Sequence, residues 1–379
     1  MTMAIWSFPT RVVFGVGESA KVGEEAKLVG MSRALIVTDA GVARAGLIEP
    51  IRESLRAAGV ESVVFDTVEA NPSEANIEDA ARAFVAAKAD GVVAVGGGSP
   101  IDAAKLVVLR AKVSLPFETL DDAIDGGKHI PAGLPPIIAL PTTAGTGSEV
   151  GRSGVLTVRS THRKTVIFSP NLIPRVAILD PALTRSMPAK TTAATGFDAL
   201  THCLEAYVSK GDHPMADAIA LGGLALAAAH LADAVARGDD LEARGGMMKA
   251  AMMGAVAFQK GLGACHSLAH PLSSECGLHH GLANALCLPA VVEFNESAAF
   301  ERLGRIARIF GANGSAGSCA AAIRELRAKV GLPAGLSEVG VDREQLGKLA
   351  DLAFADACHG SNPRPCTRDD LYALYERSL

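Results

Sequence analysis

Along the first half of the chain, short apolar runs alternate with stretches whose apolar residues recur every three to four positions. Residues 4–14, AIWSFPTRVVF, read as strand, with Pro9 marking an edge or bend because proline cannot donate to a ladder. A glycine turn and the helical run AKVGEEAKLVG follow. RALIVTDAGV predicts a buried strand from Arg33, with Asp39 at its C-terminal end. GLIEPIRESLRAAG predicts an amphipathic helix, ESVVFDTV a second strand, and NPSEANIEDAARAFVAAKA a helix opened by Pro72 and Ser73. DGVVAVGGGSPIDAAKLVVL then reads strand, glycine turn, helix. Such alternation predicts βαβ units, and hence a parallel sheet covered by helices on both faces. PPIIALPTTAGTGSEV adds an apolar strand ending in a Thr/Gly loop, and GVLTV, KTVIFSP and RVAILDP add shorter strands.

Strand patterning stops at Pro181. From TRSMPAKTTAATGFDALTHCLEAYVS to the C-terminus the pattern is helical and rich in Ala, Leu and Met. That shift divides the chain into residues 1–185, an α/β domain, and residues 186–379, an all-helical one.

A chain of 379 residues fits this two-domain reading. Aromatic residues are only 4% against 49% hydrophobic overall, so the cores must be aliphatic. The net charge of −5 and the lack of a Lys/Arg run exclude a nucleic-acid partner. MTMAIWSFPTR lacks the basic, then apolar, order of a signal peptide. LGGLALAAAHLADAV is interrupted by His230 and Asp233, and no stretch of 18 apolar residues occurs. A cytoplasmic protein without a membrane partner is therefore expected. Cys203, Cys265, Cys276, Cys287, Cys319, Cys358 and Cys366 are odd in number and lack CxxC spacing, so they read as reduced thiols.

Four stretches carry chemistry. Gly15, Gly17 and Ala20 have GxGxxA spacing after a strand, a weak dinucleotide signal that a plain strand–turn–helix also satisfies. Gly96-Gly97-Gly98-Ser99-Pro100 follows an apolar strand and opens a helix, with Ser99 as the expected cap, Pro100 at the first position and Asp102 in the first turn. A helix N-terminus so exposed binds phosphate. Thr142, Thr143, Thr146 and Ser148 offer hydroxyls in a second post-strand loop. Two such loops in one sheet favour a nucleotide crevice, and Asp39 can either cap a helix or bond an adenosine ribose 2′-OH, which would select NAD over NADP.

The fourth stretch is GACHSLAHPLSSECGLHHG, Gly263 to Gly281, with His266, His270, His279 and His280. His266 and His270 are four apart, as are Asp198 and His202 upstream, so each pair shares a helix face. Asp198, His202 and His266, with His279 or His280, form a ligand set for Fe²⁺, Zn²⁺, Ni²⁺ or Co²⁺. His129, His162, His213, His230 and His359 stand apart from this pattern.

Together and in this order, GGGSPIDAAK, PTTAGTGSEV, GFDALTHCLEAY and HSLAHPLSSECGLHHGLANALCLP resemble the cofactor and metal motifs of the iron-containing (group III) alcohol dehydrogenases. NPRPCTRDDLYALY is similar to the family's ending, so the resemblance spans essentially the whole chain. It implies a Rossmann-like N-terminal domain and an all-α C-terminal domain, the fold also used by dehydroquinate synthase. It implies Asp198, His202, His266 and His280 as metal ligands, since the family's last ligand immediately precedes a glycine, here Gly281. His270 would lie near nicotinamide and substrate, free of the metal, and imidazole chemistry suits it there to a catalytic proton relay. Gly97, Gly98 and Ser99 would hold the pyrophosphate, with Asp102 of the same motif among the cofactor-binding residues. Thr142, Thr143, Thr146 and Lys164 would line the cofactor, with Asp39 at the ribose, and the GxGxxA match at 15–20 would be a decoy.

The activity implied is hydride transfer between NAD, or NADP, and a small alcohol or aldehyde, with Fe²⁺, or Zn²⁺, in a homodimer. A maleylacetate reductase or hydroxyacid dehydrogenase is the alternative in the same superfamily, and the filled metal motif argues against the former. A dehydroquinate synthase-like lyase would need more basic residues around the metal than these helices carry.

Overall fold

The computed structural model describes residues 8, 10–159 and 164–379. Five of the eleven residues of the strand expected over 4–14, residues 4–7 and 9, therefore lie outside the described residues, as does His162. The chain forms two compact units. One comprises residues 9–143 and 147–186; the other comprises residues 187–379 together with Phe8 and Ala144–Thr146.

The first unit is built on a six-stranded, all-parallel sheet. Its strands are β1 (Arg11–Phe14), β2 (Arg33–Val37), β3 (Glu61–Phe65), β4 (Gly91–Gly96), β5 (Ile137–Pro141) and, after a separate hairpin of β6 (Ser153–Thr157) with β7 (Lys164–Phe168), β8 (Val176–Leu179). The spatial order is β1-β8-β5-β4-β2-β3, and β6 pairs with β7 antiparallel. GVLTV and KTVIFSP thus make a small sheet of their own. The connecting helices are α1 (Val22–Leu28), α2 (Ala40–Arg44), α3 (Ile48–Ala57), α4 (Glu74–Ala86) and α5 (Gly98–Arg110).

Both faces of the sheet are covered, which is why its strands read as unbroken apolar runs. Side chains alternate in direction along a strand. Leu35, Val37, Val92, Ala94, Ile137 and Ala139 pack with Ile77, Phe84 and Ile101 from α4 and α5. Their neighbours Ala34, Ile36, Val93, Val95, Ile138 and Leu140 pack with Val22, Ala26, Ile51 and Leu55 from α1 and α3. Strand β2 pairs with both β3 and β4, so the strand order reverses there. Ligands of such sheets bind outside the strand C-termini at that reversal. Asp39 follows β2 and Gly97 follows β4, so both loops stand at the switch point.

The second unit is helical: α6 (Ala189–Val208), α7 (Pro214–Ala236), α8 (Leu241–Ala257), α9 (Ala264–Glu275), α10 (His280–Phe294), α11 (Glu296–Ile309), α12 (Ala316–Lys329), α13 (Leu346–Ala355) and α14 (Arg368–Ser378). Helix α6 is buried from Thr192 to Val208 and packs against α7, α8 and α10. Helix α7 is long and apolar enough to cross a membrane, but it packs along α6 and α8 as part of this bundle.

Candidate metal centre and dinucleotide loops

Asp198 and His202 lie one turn apart on the buried face of α6, and His202 Nε2 is 3.8 Å from Asp198 Oδ1. His266 comes from the first turn of α9 and His280 opens α10. His280 Nε2 is 3.4 Å from Asp198 Oδ1, and ligating atoms of Asp198, His266 and His280 all lie within 4.8 Å of one another. The rings of His202 and His266 stack at 4.7 Å. The structure brings these four residues together and leaves His279 exposed at the cap of α10. Gly281 explains how α10 approaches so closely. A Cβ there would stand 2.0 Å from the Ala194 carbonyl oxygen and 3.1 Å from Asp198 Cβ, so any larger residue would push His280 away.

Charge and hydrogen bonding suit a cation. Asp198 is 3% exposed; burial opposes its ionisation, but His202, His280 and His266 around it hold its pKa below the ordinary value. Burial pushes the His202 pKa down to about 4 and that of His280 well below the imidazole range, so both rings are neutral and able to ligate. His266 Nε2 is buried with no hydrogen-bond partner among the described residues. A buried polar atom left alone costs about 1–3 kcal/mol, and a divalent ion would satisfy it. One carboxylate and three imidazoles, with no thiolate, form a donor set for iron or zinc.

Sequence reasoning missed the residues behind the candidate ligands. Glu205, 1% exposed, lies on the same face of α6, and its Oε2 is 2.6 Å from His266 Nδ1. Asn284, fully buried one turn after His280, donates to Asp198 Oδ1 at 2.9 Å and lies 3.3 Å from His280 Nε2. The spacing D-x₃-H-x₂-E on one helix was a readable signal for Glu205, and H-x₃-N for Asn284. His270 has a different carboxylate partner: its Nδ1 bonds Asp356 Oδ2 at 2.8 Å. Asp356 also accepts from Ser267 Oγ at 2.7 Å and Cys358 N at 2.8 Å. Asp356 comes from a segment 86 residues further on, so no local spacing could have revealed it.

In the α/β unit, Asp39 caps α2 through Oδ1, which accepts from Gly41 N at 2.8 Å and Val42 N at 3.0 Å. Its Oδ2 lies toward Gly96, 3.4 Å from where a Cβ would stand. The cap of α5 differs from expectation. Gly97 is the cap residue and Gly98 the first of the helix, so Ser99 and Pro100 lie inside its first turn. Gly97 brings no side chain to cover the N–H groups of Gly98 and Ser99. The Ser99 hydroxyl instead accepts from Asn71 N at 3.3 Å. Thr142 N donates to Gly96 O at 2.9 Å, and Thr143 Cγ2 comes within 3.3 Å of a Gly97 Cβ position, so the two loops touch. Thr146 is the exposed end of the short segment Ala144–Thr146, which packs with the helical unit. Lys164 opens β7, and partial burial lowers its pKa.

Asp102 is engaged below the loops. Its Oδ1 accepts from Ser148 Oγ at 2.5 Å and its Oδ2 from Val155 N at 3.3 Å. Lys105, fully buried, donates from Nζ to Ser148 Oγ and Ser153 O at 2.7 Å and lies 3.6 Å from Asp102. This network ties α5 to the segment after the threonine loop. The GxGxxA imitation is a turn held by Asp180, which accepts from Gly17 N at 3.0 Å and Ser19 Oγ at 2.6 Å.

Comparison with known proteins agrees with this layout. A family model described as iron-containing alcohol dehydrogenase matches residues 9–181, and one described as the C-terminal part of the Fe-containing alcohol dehydrogenase family matches 192–379. A 4-hydroxybutyrate dehydrogenase of Cupriavidus necator is 38% identical over 386 residues, covering 100% of both chains. The crystal structure of a 1,3-propanediol oxidoreductase superposes with a TM-score of 0.96 at 37% identity, covering 100% of both chains. A sulfoacetaldehyde reductase from Bifidobacterium kashiwanohense, solved in complex with NAD⁺, superposes with a TM-score of 0.91 at 31% identity, covering 100% of this chain and 99% of that one.

Proposed function

The chain belongs to the iron-containing alcohol dehydrogenase family and is an alcohol–aldehyde oxidoreductase, and from that premise we propose that it uses NAD and one divalent cation, iron first, held by Asp198, His202, His266 and His280. The observation that carries the metal reading is His266, whose buried Nε2 is unpartnered among the described residues and whose ring offers a nitrogen within 4.8 Å of ligating atoms of Asp198 and His280. When bound, the cation supplies Lewis-acid chemistry at the substrate oxygen and the nicotinamide supplies the hydride chemistry.

The protein's own groups do the rest. Asp198 contributes the one negative charge of the set, and burial keeps His202 and His280 neutral. His270 moves the alcohol proton: its Nδ1–H is held by Asp356, so its Nε2 is the acceptor, and a side chain 37% exposed can pass the proton to water. Gly97, Gly98 and Ser99 offer backbone N–H groups to the pyrophosphate at the start of α5, with Thr142, Thr143, Thr146 and Lys164 as further cofactor contacts. Asp102 braces those loops from behind through Ser148. The Asp39 carboxylate beside the glycine loop accepts from a ribose hydroxyl and repels a 2′-phosphate, favouring NAD over NADP. Among the described residues β1 is an edge strand of the sheet, with Phe14 and Val16 exposed, which supports a homodimer. The substrate is a small alcohol or aldehyde, and the enzyme a cytoplasmic one. The named relatives act on a hydroxybutyrate, a propanediol and a sulfoacetaldehyde, so the family's substrates vary in charge and polarity.

Metal-stripped protein reconstituted with Fe²⁺ or Zn²⁺ and assayed on an alcohol and aldehyde panel, with NADH against NADPH, tests the whole reading. Fe²⁺ should restore turnover and NADH should be preferred. Full turnover by stripped protein, or a preference for NADPH, would refute the corresponding part.

A further inference from the structure

Glu205 is a fully buried carboxylate whose partners are backbone N–H groups and one imidazole nitrogen. It stands three residues beyond His202 and seven beyond Asp198, so all three share one face of α6. Its Oε2 accepts from Gly263 N at 3.0 Å and His266 N at 3.4 Å, and its Oε1 from Cys265 N at 2.6 Å. These are the amides at the start of α9 that the helix itself cannot pair, at the end that favours an anion. Gly263 leaves room for the carboxylate, since a Cβ there would stand 2.7 Å from Oε1. The remaining contact is His266 Nδ1 at 2.6 Å.

An ionised carboxylate can only accept, so this bond requires a proton on Nδ1. In the neutral ring that leaves Nε2 with a lone pair. Nε2 is buried and has no partner among the described residues, and the ring offers a nitrogen within 4.8 Å of ligating atoms of Asp198 and His280. We propose that Glu205 is a positioning residue: it caps α9 from the neighbouring helix and, by the same carboxylate, fixes His266 as its Nδ1–H tautomer so that Nε2 is presented to the cation. The proposal rests on the reading of Asp198, His202, His266 and His280 as one cation site.

The informative pair of variants is Glu205→Leu and Glu205→Gln. Leucine offers the ring no acceptor, so the ring proton is free to sit on Nε2, where it blocks ligation. Glutamine keeps one oxygen: in place of Oε2 it still accepts from His266 Nδ1–H, Gly263 N and His266 N, and only Cys265 N faces its NH₂. With Co²⁺ alone as the probe, competed against a chelator, E205L should bind about 10–100-fold more weakly than wild type. E205Q, which keeps the acceptor, should recover part of the loss. Long-range ¹H–¹⁵N spectra of histidine-labelled, metal-free wild type, taken with the ring neutral, should show His266 as Nδ1–H, a readout that a capping role alone would not set. The Nε2–H tautomer in wild type, or Co²⁺ binding by E205L equal to wild type, would overturn the proposal. Wild type that binds no Co²⁺ would refute the cation site itself, and the proposal with it. Should E205L fail to fold, the tautomer spectra of wild type and E205Q decide.

Discussion

The two candidate functional regions of this molecule are built in opposite ways. In the helical unit the chemistry sits in side chains. Asp198, His202, His266 and His280, the candidate ligands, come from three closely packed helices, and Glu205 and Asn284 hold His266 and Asp198 from behind. In the α/β unit the offered groups are largely backbone amides at Gly97–Ser99, and the charged side chains, Asp102 and Lys105, are turned inward beneath them. The first region depends on residue identity at the surface of the site, whereas the second depends on residues that hold a loop in place.

Exchanging a ligand should therefore be the most damaging change. His280→Ala removes one of three atoms gathered within 4.8 Å and should abolish metal binding and turnover, while His279→Ala, exposed at the cap of α10, should leave both near wild type. Metal content per protomer after purification reads the difference. Equal loss in both variants would mean that the helix end, and not the ligand, was disturbed.

The counterpart in the other unit should act through the fold. Lys105→Met removes a fully buried cation 3.6 Å from Asp102, and since Asp102 is 18% exposed the loss should fall below the ~3–5 kcal/mol that a fully buried pair costs when it loses one member. The melting temperature should fall and NADH should bind more weakly, with metal content unchanged, as followed by thermal melting and fluorescence titration. The double change Lys105→Met with Asp102→Leu should recover much of the stability, because it removes the orphaned charge. NADH binding that survives Lys105→Met at full affinity would break the contrast between the regions.

The same contrast decides what could be read from the sequence. Apolar runs located every strand of the main sheet from β2 onward, because burial on both faces makes strand periodicity an unbroken run. That Asp198, His202 and His266 would be offered as one candidate ligand set was legible, because ligand chemistry and the helical repeat are both local. Glu205 shared that spacing, but its meaning depends on a histidine 61 residues away. Asp356 likewise acquires its role only by reaching His270 across the fold. The cap of α5 was misplaced because serine is the usual side-chain cap, and three glycines let the backbone start the helix earlier. The segment Ala144–Thr146 belongs with the helices although its sequence continues a strand, since Gly145 packs against Thr195 of α6 more closely than any side chain would allow.

The smallest expected effect concerns Glu149, beside this network and 3% exposed. Burial lifts its carboxyl from an ordinary 4.5 to about 7, against the opposing pull of its own backbone amide and of Lys105. A carboxyl raised in the folded state is held protonated there while the unfolded chain ionises. Its contribution is therefore fully present below pH 4.5, declines as pH rises from there, and is lost above about 7. At about 1.36 kcal/mol per pH unit, the whole window is worth on the order of 3 kcal/mol, an upper figure for a residue in a charged network. Glu149→Gln cannot ionise, so it should melt near wild type at pH 4.5 and above wild type at pH 8, with the gap opening across that window. A gap of constant size from pH 4.5 to 8 would mean that the glutamine variant differs by packing alone. A gap of opposite sign would mean that ionised Glu149 is held by Lys105, and the support beneath the backbone loops would then be a triad of charges in place of a single pair.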